Sequence, residues 1–504
     1  MGKSSGLGIT LALSATTASK IIAGELPGDI TEMSAMRLSA AIWQREVSCV
    51  EVMQAYLEHI HRYNPVYNAI VSLVEDDVLI GQAGEADGAL AKGEYRGWMH
   101  GMPHAIKDSI DVHGMPTSRG SPIFAGTVAE EDDFVVARIR SQGPIFIGKT
   151  NLPEFGMGSQ SYNPVFGATG SAYDPALTAG GSSGGAACGL ATHMLPVADG
   201  GDLMGSLRNP GAFNNVIGFR ATQGRVPSGP DGDLFYQQMG VSGPMGRNSE
   251  DTIWLLHSMA GDYPGRPLSL RDDLPAPDQF KAASLQGLRI GWLGDYDGYL
   301  STEPGVLDVC EASLRTLADN GVVVELCMPQ YDMDRLWQTW LTLRHWTRHG
   351  MRDLYDNPET KRLLKPEAIW EIEGSFDTSA KDVYAAGIAR ADWFRAVRSL
   401  FDQYDFLVLP TAQVFPFSKD IHWPTEIDGK AMDTYHRWME VVIGGSLAGV
   451  PVVNVPAGFD ERGRPMGMQV MGRFGDDQRV LEFSSAYEKV TGHLGRRPVL
   501  VDKS

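Results

Sequence analysis

The sequence predicts an α/β fold, and two observations carry that prediction. Short apolar runs typical of strands alternate with amphipathic stretches typical of helices along most of the chain, which is the pattern of α/β architecture. The composition, with 43% hydrophobic and 21% charged residues among 504, is that of a globular protein long enough to bury a large core. Because no internal repeat or low-complexity linker interrupts the pattern, we expect one domain over residues 29–504.

The N-terminal half begins with helical signals. Asp29 and Thr31 are capping residues, and apolar side chains recur at helical spacing as far as residue 64, with a second helical stretch over 48–63. Further along, the pattern predicts a short strand within 101–112 that contains Lys107, a helix over 133–141 and a strand over 145–149.

The later part continues the alternation. The predicted strands are 288–293, 322–327, 406–411, 450–455 and 466–471, and the predicted helices are 306–320, 335–355 and 477–491. The 335–355 stretch carries Trp337 and Trp340 at helical spacing. We interpret residues of about 330–400 as a helical cap insertion; its tryptophans either line an apolar entry to a site or pack the insertion's own core.

Charge and cysteine content exclude several classes of protein. The net charge is −19 and there is no basic tract, which argues against nucleic-acid binding. Cys49, Cys188, Cys310 and Cys327 lie far apart without a CxxC pair, so we expect free buried thiols in a reducing, cytoplasmic compartment. No apolar run reaches the roughly 18 residues of a membrane-spanning helix. Residues 1–28 are expected to be a disordered leader, and their weak apolar run leaves a signal peptide open.

Two glycine-rich loops and one lysine are the candidate chemical groups. The run 180–185 contains Ser182 and Ser183, and the run 200–210 contains Ser206. Glycine lets a backbone approach a reacting group closely, and a serine among exposed N–H groups supplies what acyl transfer needs. Each loop alone also fits an ordinary polar turn. Lys107 is either a solvated lysine on a strand edge or a base whose pKa falls through burial.

Together these segments resemble the amidase signature family, from about residue 30 to the C terminus. The matching stretches are 101–112, 180–185, 202–210, 224–227, 447–451 and 467–469. Ser182 and Ser206 are 24 residues apart, which is the family's separation between its two catalytic serines. The resemblance implies a central mixed, twisted sheet between helices, and an amide-bond hydrolase that needs neither a metal nor a cofactor.

The resemblance also implies a Ser-Ser-Lys triad. Ser206 matches the nucleophile, Ser182 the bridging serine that follows a cis peptide bond, and Lys107 the base. The developing oxyanion would be met by backbone N–H groups, which belong to Leu203, Met204, Gly205 and Ser206.

The chain departs from the family pattern beside the nucleophile. Gly201 replaces a threonine, and Met204 replaces a glycine. Asp202 and Arg208 are interpreted as a structural ion pair that holds this loop. Candidate substrate contacts, placed by resemblance and by the aromatic insertion, are Met157, Gly158, Ser159, Gln160 and Trp337. They favour small or aryl amides such as anilides, with carbamates, esters and a homodimer left open.

Three rival interpretations remain at this point. Residues 181–185 also fit G-x-S-x-G, which would make Ser183 the nucleophile of an α/β-hydrolase-type esterase, although 173–179 is a poor strand. The family includes the A-type component of tRNA-dependent amidotransferases, which acts only within a complex. His345 and His349 share a helix face but lack the glutamate of a zinc protease motif, so we expect no metal there.

Overall fold

The structure is a computed structural model that describes residues 28–227, 233–236 and 238–502. Its strands, numbered in chain order, are β1 Ile70–Val71, β2 Pro103–Lys107, β3 Ile145–Thr150, β4 Tyr162–Asn163, β5 Gly167–Ala168, β6 Ala198–Asp202, β7 Ile217–Arg220, β8 Val241–Gly246, β9 Arg289–Trp292, β10 Val323–Leu326, β11 Phe406–Pro410, β12 Glu426–Ile427, β13 Lys430–Ala431, β14 Val452–Phe459 and β15 Pro465–Met471.

The α-helices are likewise numbered in chain order. They are α1 Ala35–Trp43, α2 Cys49–Tyr67, α3 Asp76–Ala91, α4 Phe134–Arg140, α5 Gly184–Ala191, α6 Arg208–Phe213, α7 Ser249–Met259, α8 Val306–Asp319, α9 Met333–Arg348, α10 Arg352–Asp356, α11 Pro358–Lys361, α12 Pro366–Gly374, α13 Ala380–Leu400, α14 Ile443–Ala448 and α15 Asp477–Thr491.

The central sheet has eight strands in the order β10-β9-β11-β15-β14-β7-β8-β6. It is mixed, since β9 pairs in parallel with β10 and β11 whereas the other neighbours pair antiparallel. A second sheet, in the order β1-β3-β2, holds the strand that ends at Lys107. The prediction of an α/β fold with a central mixed sheet is therefore confirmed.

Local capping explains where the N-terminal helices begin. The helical stretch predicted after Asp29 is divided into a short 3-10 turn and two α-helices. Asp29 caps only the 3-10 turn, and Ser34 caps α1. Ser48 and Glu51 form a capping box that starts α2, because each side chain accepts a hydrogen bond from a backbone N–H that the first turn leaves unpaired.

The segment between β10 and β11 is helical. It contains α9 to α13, leaves the central sheet from an edge strand and returns to the third strand in the sheet order. We call residues 333–400 the cap. Apart from Gly28, the predicted leader lies outside the described residues. Across the described part of the chain, no helix is both long and apolar enough to cross a membrane.

All four cysteines are buried and free. Burial raises the pKa of each thiol; for Cys327 the value is about 12. The prediction of free buried thiols is therefore confirmed.

Candidate active site

Lys107 is the last residue of β2 and is 3% exposed. Its Nζ donates hydrogen bonds to Ser182 Oγ and Ser183 Oγ, both at 2.8 Å. The carbonyl oxygen of Gly201 lies 3.5 Å from the same nitrogen. The end of β2 thus places the Lys107 amine beside both glycine-rich loops. The interpretation of Lys107 as a solvated lysine on a strand edge is wrong.

Burial also changes the acidity of this lysine. Desolvation lowers the pKa of Lys107 to about 7, against a smaller opposing effect of the carboxylates of Asp199 and Asp202. Removing an ammonium from water disfavours its charged form more strongly than two carboxylates at a distance favour it. Near neutral pH a large fraction of Lys107 is therefore the neutral amine, which can accept a proton.

The first glycine-rich loop is held by hydrogen bonds to its backbone. The Gly181–Ser182 peptide bond is cis, as the resemblance implies. Ser159 Oγ donates to the Gly181 carbonyl at 2.6 Å and accepts from the Gly181 N–H at 3.2 Å. Ser183 N–H donates to the Ser206 carbonyl at 3.1 Å, so the two loops are joined directly.

Ser206 lies in the second loop, between β6 and α6, and is 7% exposed. The preceding Gly205 has φ +77°, and a Cβ there would lie 2.1 Å from Asn209 Oδ1, so the turn requires glycine. The N–H groups of Leu203, Met204 and Ser206 have no partner among the described residues. The fourth predicted oxyanion donor, Gly205 N–H, already donates to Asp202 at 3.0 Å.

Asp202 anchors this loop from inside the protein. Its carboxylate accepts from the Arg208 side chain at 2.9 and 3.0 Å and from Leu207 N–H at 3.2 Å. Arg220, which the sequence interpretation missed, is a further partner at 3.3 Å. Burial raises the pKa of Asp202, but the two guanidinium groups outweigh burial and hold it well below its usual range. The predicted Asp202–Arg208 ion pair is confirmed.

The candidate substrate contacts divide into two groups. Ser159 lies beside the first loop, because it bonds to Gly181. Gly158 lies beside Tyr435, since a methyl group there would be 3.7 Å from the Tyr435 ring. Met157 is instead buried in a small apolar cluster with residues of the cap. Gln160 Nε2 donates to the carbonyl oxygens of Lys419 and Ile421 at 2.9 and 2.8 Å.

Trp337, the fifth candidate contact, is 1% exposed. Its ring lies 5.2 Å from that of His436, and the Arg437 guanidinium lies 4.5 Å from its centroid. Trp340 is also buried, whereas Trp370 is 38% exposed. The first two tryptophans therefore present no open ring face to solvent.

The geometry weighs against the nucleophile-elbow interpretation. That motif requires a strand directly before the serine, and residues 173–179 form none. Ser183 is fully buried and is bonded to Lys107. This second contact of Lys107 was not predicted from the sequence, since both serines match the same glycine-rich pattern.

His345 in α9 and His349 just after it have separate partners. His345 Nδ1 lies 3.0 Å from the Glu371 carbonyl, and His349 Nδ1 lies 3.2 Å from Ser375 Oγ. Within the part of the chain that the structure describes, no group of three or more His, Cys, Asp or Glu side chains is arranged to hold a metal ion.

Comparison with known proteins decides the family. A family model described as amidase matches residues 51–481. The chain belongs to the amidase signature family. The A component of the glutamyl-tRNA(Gln) amidotransferase of a Cyanothece species is 30% identical to this amidase, over 93% of this chain and 100% of the relative. An acylamidase of Rhodococcus erythropolis is 29% identical over 92% of this chain and 97% of the relative.

Solved structures agree with the sequence relatives. The crystal structure of a bacterial aryl acylamidase of the amidase signature family superposes on this amidase with a TM-score of 0.85 at 25% identity. The superposition covers 93% of this chain and 99% of the other. The protein is therefore an amide-hydrolysing enzyme with the amidase signature fold.

Proposed function

We propose that this amidase hydrolyses small or aryl amides through an acyl-enzyme on Ser206, with Ser182 as the bridging serine and Lys107 as the base. The observation that most strongly supports the proposal is the burial of Lys107 and its lowered pKa. This lysine is a buried amine with a pKa of about 7, 2.8 Å from Ser182 Oγ. A base with a pKa near the working pH combines a large deprotonated fraction with useful basicity.

The proton and the electron pair move in a fixed sequence. Neutral Lys107 accepts the proton of Ser182 Oγ as Ser182 accepts that of Ser206 Oγ. Ser206 Oγ then adds to the amide carbonyl carbon, and the carbonyl electron pair moves to oxygen. The free N–H groups in the 203–206 loop are the proposed donors to that oxyanion. As Gly205 N–H is bonded to Asp202, we assign this role to Leu203, Met204 and Ser206.

Collapse of the tetrahedral adduct breaks the C–N bond. The leaving amine takes a proton back through Ser182 from Lys107, which becomes neutral again. Water then adds to the acyl-enzyme with Lys107 and Ser182 as the proton relay, and the carboxylic acid leaves Ser206. Serine and lysine side chains with backbone donors suffice for every step of this sequence.

The proposed substrate class is supported by the relatives and by local bulk. Two proteins similar to this chain are named acylamidase and aryl acylamidase. Met204 stands where the family pattern has glycine and adds bulk beside Ser206. Bulk there favours a short acyl group, because hydrophobic pockets discriminate by roughly 1–3 kcal/mol per methylene. Acetanilides should therefore exceed long-chain fatty amides in kcat/KM.

Labelling with a fluorophosphonate tests the nucleophile. The reagent should modify Ser206, and Ser206→Ala should abolish both labelling and acetanilide hydrolysis while the circular dichroism spectrum is retained. The matched variant Ser183→Ala should still be labelled at Ser206. Modification of Ser183 in the wild type would overturn the proposed triad.

A second candidate is an amidotransferase component of the A type, which acts only in a complex. The 30% identity to the Cyanothece relative over the full length of that protein favours it. Purification distinguishes the two candidates. The stand-alone enzyme releases aniline from acetanilide as a single purified chain, whereas a dependent component is inactive until its partner chains are added.

A further inference from the structure

The cap and the segment before α14 enclose a group of buried polar side chains that the proposed chemistry does not use. We call Trp337, Arg344, Glu371, Tyr435 and His436 the cap cluster. All five are buried. Arg344 Nε donates to Glu371 Oε1 at 2.6 Å, and Arg344 Nη2 donates to Tyr435 Oη at 2.9 Å. Tyr435 Oη donates to the same Glu371 oxygen at 2.5 Å.

Several polar atoms of the cap cluster have no partner among the described residues. They are Trp337 Nε1, Glu371 Oε2 and both ring nitrogens of His436. The rings of Trp337 and Trp370 lie 5.2 and 5.7 Å from that of His436. A buried polar atom without a partner costs roughly 1–3 kcal/mol, so four such atoms in one place indicate that something else bonds to them.

The free atoms include both donors and acceptors. Burial lowers the pKa of His436 to about 3, so its ring is neutral and offers one N–H and one lone pair. Burial raises the pKa of Glu371, but Arg344 outweighs it and the pKa falls to about 2. Glu371 Oε2 is thus a carboxylate acceptor, and Trp337 Nε1 is a donor.

The charges around the cap cluster restrict the chemical class of the ligand further. Arg344 neutralises Glu371, and Arg348, one turn later on α9, has no ion-pair partner among the described residues. This excess of positive charge disfavours an ammonium group. A carboxylate has no N–H to donate to Glu371 Oε2, so it would leave that atom without a partner. An uncharged group with N–H donors and a carbonyl acceptor matches Trp337 Nε1, Glu371 Oε2 and one of the His436 ring nitrogens, and a carboxamide is such a group.

The cap cluster is close to the two glycine-rich loops. A Cβ on Gly158 would lie 3.7 Å from the Tyr435 ring, and Gly158 precedes the Ser159 that bonds to Gly181. The 3-10 turn Arg437–Val442 directly follows His436. Its last side chain, Val442, lies 2.9 Å from where a Cβ of Gly205 would be. The segment from Tyr435 to Val442 therefore joins the cap cluster to the loop of Ser206.

We propose that Trp337, Glu371 and His436 form a subsite that binds a second, uncharged carboxamide group of the substrate, remote from the bond that is cut. The inference rests on the proposed function for its place in the reaction. The carboxamide oxygen accepts from Trp337 Nε1 and the His436 N–H, and its NH₂ group donates to Glu371 Oε2. The preferred substrates then carry two amide groups, of which one is hydrolysed.

Matched substrates test this subsite. 4-Acetamidobenzamide and methyl 4-acetamidobenzoate share the acyl group and the ring, but only the first has an NH₂ donor. N-phenylsuccinamide and methyl N-phenylsuccinamate are the corresponding pair on the acyl side. In at least one pair the carboxamide should exceed the ester by about tenfold in kcat/KM, mainly through a lower KM, because a lost buried hydrogen bond weakens discrimination by that order.

Trp337→Phe removes the N–H and keeps the ring. It should raise KM about tenfold for both members of the preferred pair, because the carbonyl oxygen that Trp337 Nε1 binds is common to the carboxamide and the ester. An unchanged circular dichroism spectrum shows that the variant is folded. Trp340→Phe is the matched control, because Trp340 also has a buried, unpartnered Nε1 on the same helix but lies outside the group of rings around His436. Equal effects of the two variants, or no preference in either substrate pair, would overturn the subsite.

Binding is tested without turnover in Ser206→Ala labelled with ¹⁵N at tryptophan. The Trp337 indole signal, assigned by its loss in Trp337→Phe, should shift with benzamide and not with toluene, which has the ring but no carbonyl oxygen. An unmoved signal with benzamide contradicts the inference, and it would mean that the free atoms are bonded to buried water. Should Ser206→Ala still hydrolyse acetanilide, the proposed triad fails, while the benzamide titration still decides the subsite.

Discussion

Lys107 shows how one residue position sets the conditions under which the enzyme works. At the end of β2 its amine is buried, and its hydrogen-bond partners are two uncharged serine hydroxyls. Carboxylates act on it only from a distance, so desolvation prevails and the pKa falls to about 7. A carboxylate in direct contact would instead have kept the amine protonated.

The pH dependence of catalysis follows from this shift. Because neutral Lys107 is the proposed base, kcat/KM for acetanilide should rise from pH 6 to pH 8 with a midpoint near the pKa of about 7. Lys107→Arg should be inactive over the whole range, since a guanidinium stays protonated. A rate that falls over this range, or an active arginine variant, would rule out a lysine base.

The same shift predicts how stability depends on pH. The folded lysine loses its proton above about 7, whereas the unfolded lysine keeps it up to about 10.5. Between these values the unfolded chain binds more protons, so this group makes the free energy of unfolding rise with pH. Lys107→Met removes the effect. Its unfolding free energy relative to wild type should be most favourable at pH 6.5 and should decline steadily to pH 9.5, as measured by urea unfolding.

At the scale of elements, the loop between β6 and α6 depends on ion pairs buried beneath it. Asp202 pairs with Arg208 and Arg220, and it also accepts the N–H groups of Gly205 and Leu207. A single carboxylate therefore fixes both the strand end and the turn that presents Ser206.

Loss of that carboxylate should destabilise the protein. Asp202→Asn leaves two buried guanidinium groups without their counter-charge, and breaking such a pair costs roughly 3–5 kcal/mol. Asp402→Asn is a matched control, since its pair with Arg398 is exposed and such pairs contribute at most about 1 kcal/mol. Urea unfolding of both variants measures the difference. Similar losses in the two variants would show that Asp202 does not hold the loop.

Elements with a local signal were predicted well, and long-range polar contacts were not. The helix Asp477–Thr491 matches its predicted bounds, because its apolar period lies in consecutive residues. Lys107, Ser182 and Ser206 were singled out by glycine-rich runs and by family spacing. Apart from Trp337, the cap cluster had no such signal. Its hydrogen bonds join residues 27, 64 and 91 positions apart, and a sequence pattern does not show which distant side chains meet.

At the scale of the whole molecule, the two ends of the central sheet serve different parts of the protein. β6, which leads into the loop of Ser206, is one edge strand, and β10, which leads into the cap, is the other. The proposed catalytic groups lie at the first end, supported by β2 of the smaller sheet. The cap begins after β10 at the second end of the sheet, and its helices pack against Met157.

The proposed relay uses side chains from this one chain alone, so metal removal should have no effect. Dialysis against EDTA should leave kcat/KM for acetanilide unchanged, because every proton in the proposed steps moves between serine, lysine, substrate and water. A zinc-dependent peptidase treated in parallel is the positive control. Activity that is lost on dialysis and restored by zinc would contradict a relay of serine and lysine.

The position of the cap between β10 and β11 has an evolutionary consequence. Two of the three residues of the proposed carboxamide subsite, Trp337 and Glu371, lie in one continuous stretch of the gene, which encodes α9 to α13. The proposed nucleophile, bridge and base are encoded upstream, before residue 210. Recombination that exchanges this stretch can therefore change which amides a descendant enzyme binds, while the proposed catalytic residues are inherited unchanged.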